Sequence, residues 1–193
     1  MIPWEWLGFA AWRRYLLQQV EAPVLEVGIG TGASLSWYDG RLIAIEPDSR
    51  KLQAASRKAQ TLPVDAHLVQ MDVQNLSLPS ANTAAFEGFA SVVASLVFCS
   101  VRRPVQGLEE LRRVLRPGGT LLLFEHVRPE NPLLAALVDR VNVPWQFISG
   151  ECQLNRTTAA NVAAAGFEIS SIKKHVWGLL NLIVARKPPA GEA

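Results

Sequence analysis

Residues 24–32 read Val-Leu-Glu-Val-Gly-Ile-Gly-Thr-Gly, and this stretch decides the fold that the sequence predicts. Three apolar residues typical of a buried strand, together with one acid, are followed by three glycines at alternate positions. Glycine permits the sharp turn and lets a ligand approach the backbone where a side chain would collide. A strand that leads through such a turn into a helix begins a βαβ unit, the building block of parallel sheets.

The same alternation continues along the chain and predicts a single α/β domain. The last two strands are separated only by residues 173–175, so the final strand is expected to insert antiparallel. We therefore predict a mostly parallel seven-stranded sheet with helices on both faces, spanning residues 1–187, and a disordered tail at 188–193. The predicted strands are 23–27, 41–45, 66–71, 89–98, 120–124, 167–172 and 176–185. The predicted helices are 4–20, 31–38, 49–60, 104–116, 131–140 and 155–165.

The composition is that of an ordinary globular domain. Of 193 residues, 49% are hydrophobic and 19% are charged, and the net charge is +2. Lysine and arginine are scattered apart from short pairs, so we expect no nucleic-acid partner.

Cysteine spacing and hydropathy suggest where the protein resides. Cys99 and Cys152 have neither the spacing of a disulfide framework nor that of a metal site. We therefore predict no metal site and a reduced, cytoplasmic setting. The sequence contains no run of about 18 apolar residues, so it predicts no transmembrane helix. The N-terminus lacks the basic and apolar regions of a signal peptide.

Three acids stand at or just after the ends of three successive predicted strands, at Glu26, Glu46 and Asp72. Glu26 precedes G-x-G-x-G rather than the G-x-G-x-x-G of a dinucleotide site, and a carboxylate there would repel a pyrophosphate but hold a cationic amino group. Glu46 is placed to accept both hydroxyl protons of a ribose. Asp72 and Val73 would lie beside an adenine. The alternative is a structural glycine turn with no ligand.

These motifs resemble those of class I S-adenosylmethionine-dependent methyltransferases, and they occur in the expected order. The resemblance implies a Rossmann-like fold, S-adenosylmethionine as cofactor and S-adenosylhomocysteine as product. The segments that carry it are VLEVGIGTG (24–32), IAIEPD (43–48), QMDVQNLSLP (70–79), SLVFCSV (95–101) and GLEELRRVLRPGGTLLLFEHV (107–127). The cofactor-binding residues that we predict are Glu26, Gly28, Gly30, Gly32, Glu46, Pro47, Asp72, Val73 and Ser95.

The later segments resemble a narrower group of quinone-pathway, phospholipid N- and alkyl-thiol methyltransferases. This likeness implies a small or lipophilic acceptor: a quinol, a thiol, an amine or a phospholipid headgroup. His126 follows the fifth strand and is the candidate catalytic residue, as a base or a substrate contact, with loop orientation as the alternative. Trp145 and Arg156 are the candidate substrate residues, although Arg156 is equally well explained as a surface side chain.

Five aromatic residues cluster near the N-terminus: Trp4, Trp6, Phe9, Trp12 and Tyr15. They predict either a helix at 1–20 that packs on the sheet or covers the pocket as a lid, or a peripheral contact with a membrane surface.

Two other functions stay open on the sequence alone. A nicotinamide-dependent oxidoreductase is disfavoured by the glycine spacing and by the lack of a Tyr-x-x-x-Lys pair. A non-catalytic nucleoside-binding protein would keep the three acids but methylate nothing.

Overall fold

Seven strands hydrogen-bond into one sheet in the computed structural model, which describes residues 8–83 and 86–189. The strands are β1 (Val24–Val27), β2 (Arg41–Glu46), β3 (Asp65–Gln70), β4 (Phe89–Ser95), β5 (Leu115–His126), β6 (Glu168–His175) and β7 (Leu180–Arg186). Their order across the sheet is β3-β2-β1-β4-β5-β7-β6. Neighbours from β3 to β5 are parallel, whereas β7 runs antiparallel between β5 and β6. The predicted mixed sheet with an antiparallel last strand is confirmed.

Five α-helices within the described residues surround this sheet. They are α1 (Phe9–Leu17), α2 (Ser49–Ala59), α3 (Pro104–Val114), α4 (Pro132–Ser149) and α5 (Thr158–Ala164). The predicted helix at 31–38 is wrong: only one 3₁₀ turn, Leu35–Trp37, forms there. The predicted first helix began at residue 4, but the structure begins α1 at Phe9, and residues 4–7 lie outside the described residues.

Helix α4 extends nine residues beyond its predicted end at 140. Asn131 caps its start by accepting from the backbone N–H groups of Leu133 and Leu134. The helix continues through Pro144, which removes only one hydrogen bond, and Trp145 packs against the cluster around Cys99. Gly150 ends α4 in the left-handed conformation, with φ at 66°.

Apolar cores lie on both faces of the sheet, as predicted. On one face α3 and α5 bury residues such as Leu108 and Val162. On the other face α1 and α2 cover β1, β2 and β5. Phe9 and Trp12 of α1 pack edge-on against Phe124 of β5, with ring centroids 5.5 and 6.0 Å apart.

The aromatic residues of α1 that the structure describes are therefore used largely for packing. This favours a helix that packs on the sheet over one that contacts a membrane surface. Tyr15 is partly exposed and lies beneath the ammonium group of Lys173. Trp4 and Trp6 lie outside the described residues, so membrane contact through them stays a prediction. Within residues 8–83 and 86–189, no helix combines the length and the apolar character needed to cross a bilayer.

Candidate active site

A cavity of about 1300 Å³ opens at the carboxyl ends of the parallel strands. Strand β1 lies between β2 and β4, so the chain leaves β1 in one direction across the sheet and later returns in the other. Ligands of open α/β sheets bind at such a switch point. Glu26, Glu46 and Asp72 all line the cavity, since each stands at or just beyond the end of a neighbouring strand.

The glycine loop after β1 forms one wall of the cavity. Backbone N–H groups of Gly28 and Ile29 donate to the carbonyl of Ile45 at 2.8 and 3.1 Å, which ties the loop to β2. Gly28 and Gly30 both have positive φ, at 67° and 58°. A Cβ added at Gly28 would lie 2.5 Å from a methyl group of Val97, whereas one added at Gly30 would approach nothing nearer than 4.0 Å. Gly28 therefore serves internal packing, and Gly30 leaves space free in the cavity.

Glu26 is a buried carboxylate that faces the cavity. The hydroxyl of Ser34 donates to both of its oxygens, at 2.6 and 2.7 Å. Burial raises the pKa of Glu26 to about 7, while the Ser34 hydrogen bond and the positive charge of Arg13 act in the opposite direction. Arg13 comes from α1, lines the same cavity and donates through Nε to the Ser95 hydroxyl at 3.1 Å.

Glu46 joins the glycine loop to the start of α2. One of its oxygens accepts from the backbone N–H of Gly30 at 2.9 Å and the other from that of Asp48 at 3.2 Å. A carboxylate can accept about four hydrogen bonds, so both oxygens retain acceptor capacity for hydroxyl groups. Asp72 is exposed and accepts from the Gln74 backbone, and the neighbouring Val73 is buried. Glu26 can bind an amino group and Glu46 can bind the two hydroxyls of a ribose, while the space above Gly30 is open. The cavity therefore fits a ligand of the size of S-adenosylmethionine.

The far end of the cavity carries a group of soft and aromatic side chains. We name Cys99, His126 and Cys152 the Cys–Cys–His cluster. The sulfur of Cys152 lies 3.4 Å from that of Cys99 and 3.4 Å from Nδ1 of His126. Cys152 is the more acidic thiol, because contact with Cys99 lowers its pKa and His126 acts in the same direction. Contact with Cys152 and burial raise the pKa of Cys99.

Two further side chains shape this end. Glu125 is buried and accepts from the backbone N–H groups of Val97, Phe98 and Cys99 at 2.8–3.1 Å, so it holds the loop after β4 in place. Trp145 lines the cavity, and its side chain also acts on Cys152, whose pKa it helps to lower.

Residues 25–123, just over half of the chain, match the family model described as a methyltransferase domain. The chain belongs to this methyltransferase domain family. S-adenosylmethionine is accordingly the cofactor of the domain, in agreement with the three acids and the open glycine loop.

The names of relatives of this methyltransferase domain refer to different acceptors. Rat thiol S-methyltransferase TMT1B is 31% identical over 153 residues, which cover 76% of this chain and 60% of that protein. Phosphatidylethanolamine N-methyltransferase of Cereibacter sphaeroides is 34% identical over 117 residues, covering 58% of this chain and 55% of that protein. The chain thus spans about three-fifths of the length of the curated relatives that it matches.

Solved structures agree with the fold. An S-adenosylmethionine-dependent methyltransferase from Mesorhizobium loti superposes with a TM-score of 0.69 at 17% identity, covering 93% of this chain and 99% of that one. At this level of identity, the superposition shows a common fold and nothing more.

Most of the predicted site residues line the cavity at the carboxyl ends of the parallel strands. Ten line it: Glu26, Gly28, Gly30, Glu46, Pro47, Asp72, Val73, Ser95, His126 and Trp145. Gly32 is not part of the lining, since its carbonyl accepts from Lys58 of α2 and an added Cβ would lie 2.6 Å from Leu35. Arg156 also lies elsewhere: it donates to the Val101 carbonyl at 2.7 Å and lines a second cavity of about 410 Å³.

Among the lining residues that sequence reasoning missed are Arg13, Ser34 and Cys152. Ser34 follows Glu26 by eight residues, and a hydroxyl so soon after a glycine loop was a usable signal. Arg13 depends on how α1 docks, and the two cysteines come from segments 53 residues apart. Neither arrangement has a local sequence pattern.

Proposed function

We propose that this domain methylates a small thiol at the end of the cavity that carries the Cys–Cys–His cluster. The observation that carries the proposal is that one cavity is lined both by the three acids and by this cluster. The cofactor cradle and a pocket for a soft nucleophile are therefore continuous. The relative named a thiol S-methyltransferase supports the same acceptor class.

The cofactor half of the cavity binds S-adenosylmethionine and orients it. When bound, S-adenosylmethionine supplies a methyl group on an electrophilic sulfonium. Glu26 binds the cationic amino group, Glu46 accepts from the ribose hydroxyls, and Gly30 leaves the space for this approach. Asp72 and Val73 lie where the adenine would be held. Positioning of this kind supplies much of the acceleration in a displacement reaction.

The acceptor half must hold a thiol as its thiolate, because the thiolate is the nucleophile. Trp145 offers an apolar wall to the acceptor. The Nδ1 atom of His126 already contacts the sulfur of Cys152, so it is engaged within the protein. We therefore assign His126 to the acceptor end as a positioning residue.

A lipid-borne amine is a second candidate acceptor, favoured by the mouth of the cavity. Phe147 and Ile148 are 87% and 81% exposed, and they stand between two lining residues, Trp145 and Ser149. Exposed apolar side chains grouped beside a pocket mark surfaces that contact membranes, proteins or ligands. The relative named a phosphatidylethanolamine N-methyltransferase supports this alternative.

The test is a product assay with S-adenosylmethionine and three separate acceptors: an alkyl thiol, a quinol and phosphatidylethanolamine vesicles. We expect one thioether per S-adenosylhomocysteine with the thiol, detected by mass spectrometry, and no product with the quinol. A Trp145→Ala variant should raise KM for the thiol while leaving cofactor affinity unchanged. Methylated phosphatidylethanolamine in place of a thioether would favour the second candidate. Cofactor binding without any methylated product would point to a non-catalytic nucleoside-binding protein.

A further inference from the structure

The geometry points to a zinc site formed by Cys99, His126 and Cys152, whose fourth position faces the cavity and takes the acceptor thiol as a thiolate. The metal site stands on the three side chains alone. The role of the fourth position rests on the proposed function. The sequence predicted no metal site, because ligands from three separate segments have no recognisable spacing.

Two of the three distances within the Cys–Cys–His cluster are close to those of a tetrahedral site. Two Zn–S bonds of about 2.3 Å place their sulfurs about 3.8 Å apart, and a Zn–S bond with a Zn–N bond of about 2.0 Å gives about 3.5 Å. The observed separations are 3.4 Å between the sulfurs and 3.4 Å between Cys152 and Nδ1 of His126. All three ligand atoms lie within 4.8 Å of one another. Small side-chain adjustments would therefore admit the ion.

Hydrogen bonds hold the backbone that carries the cluster in place. The carboxylate of Glu125 accepts from the N–H of Cys99, and the carbonyl of Cys99 accepts from the N–H of Gln153 at 2.9 Å. The second bond fixes the loop with Cys152 against the loop with Cys99. His126 is the last residue of β5 and pairs with Leu180 of β7. The backbone at each ligand is thus fixed, so that only the three side chains need to adjust when an ion binds.

The chemistry of the ligands favours zinc. Thiolates together with an imidazole select zinc among the common divalent ions, and two cysteines with one histidine leave one position of a tetrahedron open. Cys99 and Cys152 are 1% and 9% exposed, yet all three ligands line the cavity. The open position is therefore directed at the place where an acceptor enters. An acceptor thiol that coordinates there loses its S–H proton to the buffer, and its sulfur keeps the electron pair.

Metal binding is tested first, on the full chain, reduced with a phosphine and freed of metal. Zn²⁺ is titrated in competition with a chromophoric chelator, and Co²⁺ serves as a spectroscopic probe of thiolate ligation. We expect one ion per chain and a thiolate-to-cobalt charge-transfer band. Cys99→Ser and Cys152→Ser should each weaken zinc by more than about 100-fold, since even an outer-shell partner is worth about 10–100-fold. His67→Ala, on the exposed part of β3, is the control and should change nothing.

S-adenosylhomocysteine affinity is measured on the same samples, so that the two proposals fail separately. Reduced protein that binds S-adenosylhomocysteine but takes up no zinc would overturn the metal site and leave the proposed function standing. Zinc affinity that survives Cys152→Ser would also overturn it. Zinc uptake without S-adenosylhomocysteine binding would overturn the proposed function alone.

The open position is tested on the cobalt-loaded protein with S-adenosylhomocysteine bound, because no methyl group is then available. Adding an alkyl thiol should shift the charge-transfer band, and the matching alcohol should not. An unchanged band would refute acceptor coordination. Cys99→Ser and Cys152→Ser should retain S-adenosylhomocysteine affinity within a factor of about 3, which shows that they fold.

Discussion

Replacing Gly30 with valine should weaken cofactor binding while leaving the protein folded. An added Cβ at this position meets no atom nearer than the Gly28 carbonyl oxygen at 4.0 Å, so the first carbon of the new side chain does not clash with the protein. The positive φ of 58° costs a side chain about 1–2 kcal/mol. For a domain of this size that lowers Tm by about 2–8 °C.

The new side chain would occupy the cavity where the ligand must approach the loop. Forcing extra carbons into an occupied space costs about 1–3 kcal/mol, which corresponds to a loss of about 5- to 140-fold in affinity. The assay is calorimetric titration with S-adenosylhomocysteine, together with thermal unfolding.

Gly118→Val is the matched control. Gly118 has a φ of 72°, and an added Cβ there meets no atom within 4 Å, but it does not line the cavity. It should show the same loss of Tm with unchanged affinity for S-adenosylhomocysteine. If Gly30→Val keeps full affinity, the ligand does not lie over Gly30 and the assignment of the loop is refuted.

Three further predictions concern other contacts. Because burial raises the pKa of Glu26 to about 7, affinity for S-adenosylhomocysteine should fall as pH drops below 7, by up to about tenfold per unit. Glu26→Gln should remove this dependence, and a flat wild-type profile would contradict the ion pair. Gly28→Ala should cost about 2–5 kcal/mol of unfolding free energy in urea, and about 1–2 kcal/mol in a Val97→Ala background that removes the clashing methyl groups; equal costs in both backgrounds would refute the packing role. Arg113→Met should cost about 2 kcal/mol of unfolding free energy, because Arg113 bonds two backbone carbonyls and Glu110. Arg112→Met, which loses one exposed bond, is the control and should cost less than about 1 kcal/mol, so similar losses would count against this role.

The centre of the sheet was predictable because β1, β4 and the second half of β5 are buried on both faces and are largely apolar. β2 and β4 begin at their predicted residues, and β3 begins one residue early. β5 begins at Leu115, five residues before its predicted start, because Leu115 pairs with Phe89 although Pro117 and two glycines intervene. Local sequence indicates a break there, and only the neighbouring strand supplies the pairing.

The cofactor half of the site was also predictable, since acids at the ends of parallel strands must meet at one edge of the sheet. The acceptor half was not. Cys152 reaches Cys99 and His126 only because α4 runs past Pro144 and returns its loop to the end of β4. Arg13 reaches the cavity only because Phe9 and Trp12 dock α1 on Phe124. Such long-range contacts depend on packing between elements, which local patterns do not encode.

The most direct test of the central claim is calorimetric titration of the purified protein with S-adenosylhomocysteine, with NADH as the control ligand and a Glu46→Ala variant beside the wild type. We predict micromolar binding of S-adenosylhomocysteine, none of NADH, and a loss of roughly 1.5–3 kcal/mol in the variant. Preference for NADH, or no binding of either ligand, would contradict the assignment of the cavity to S-adenosylmethionine.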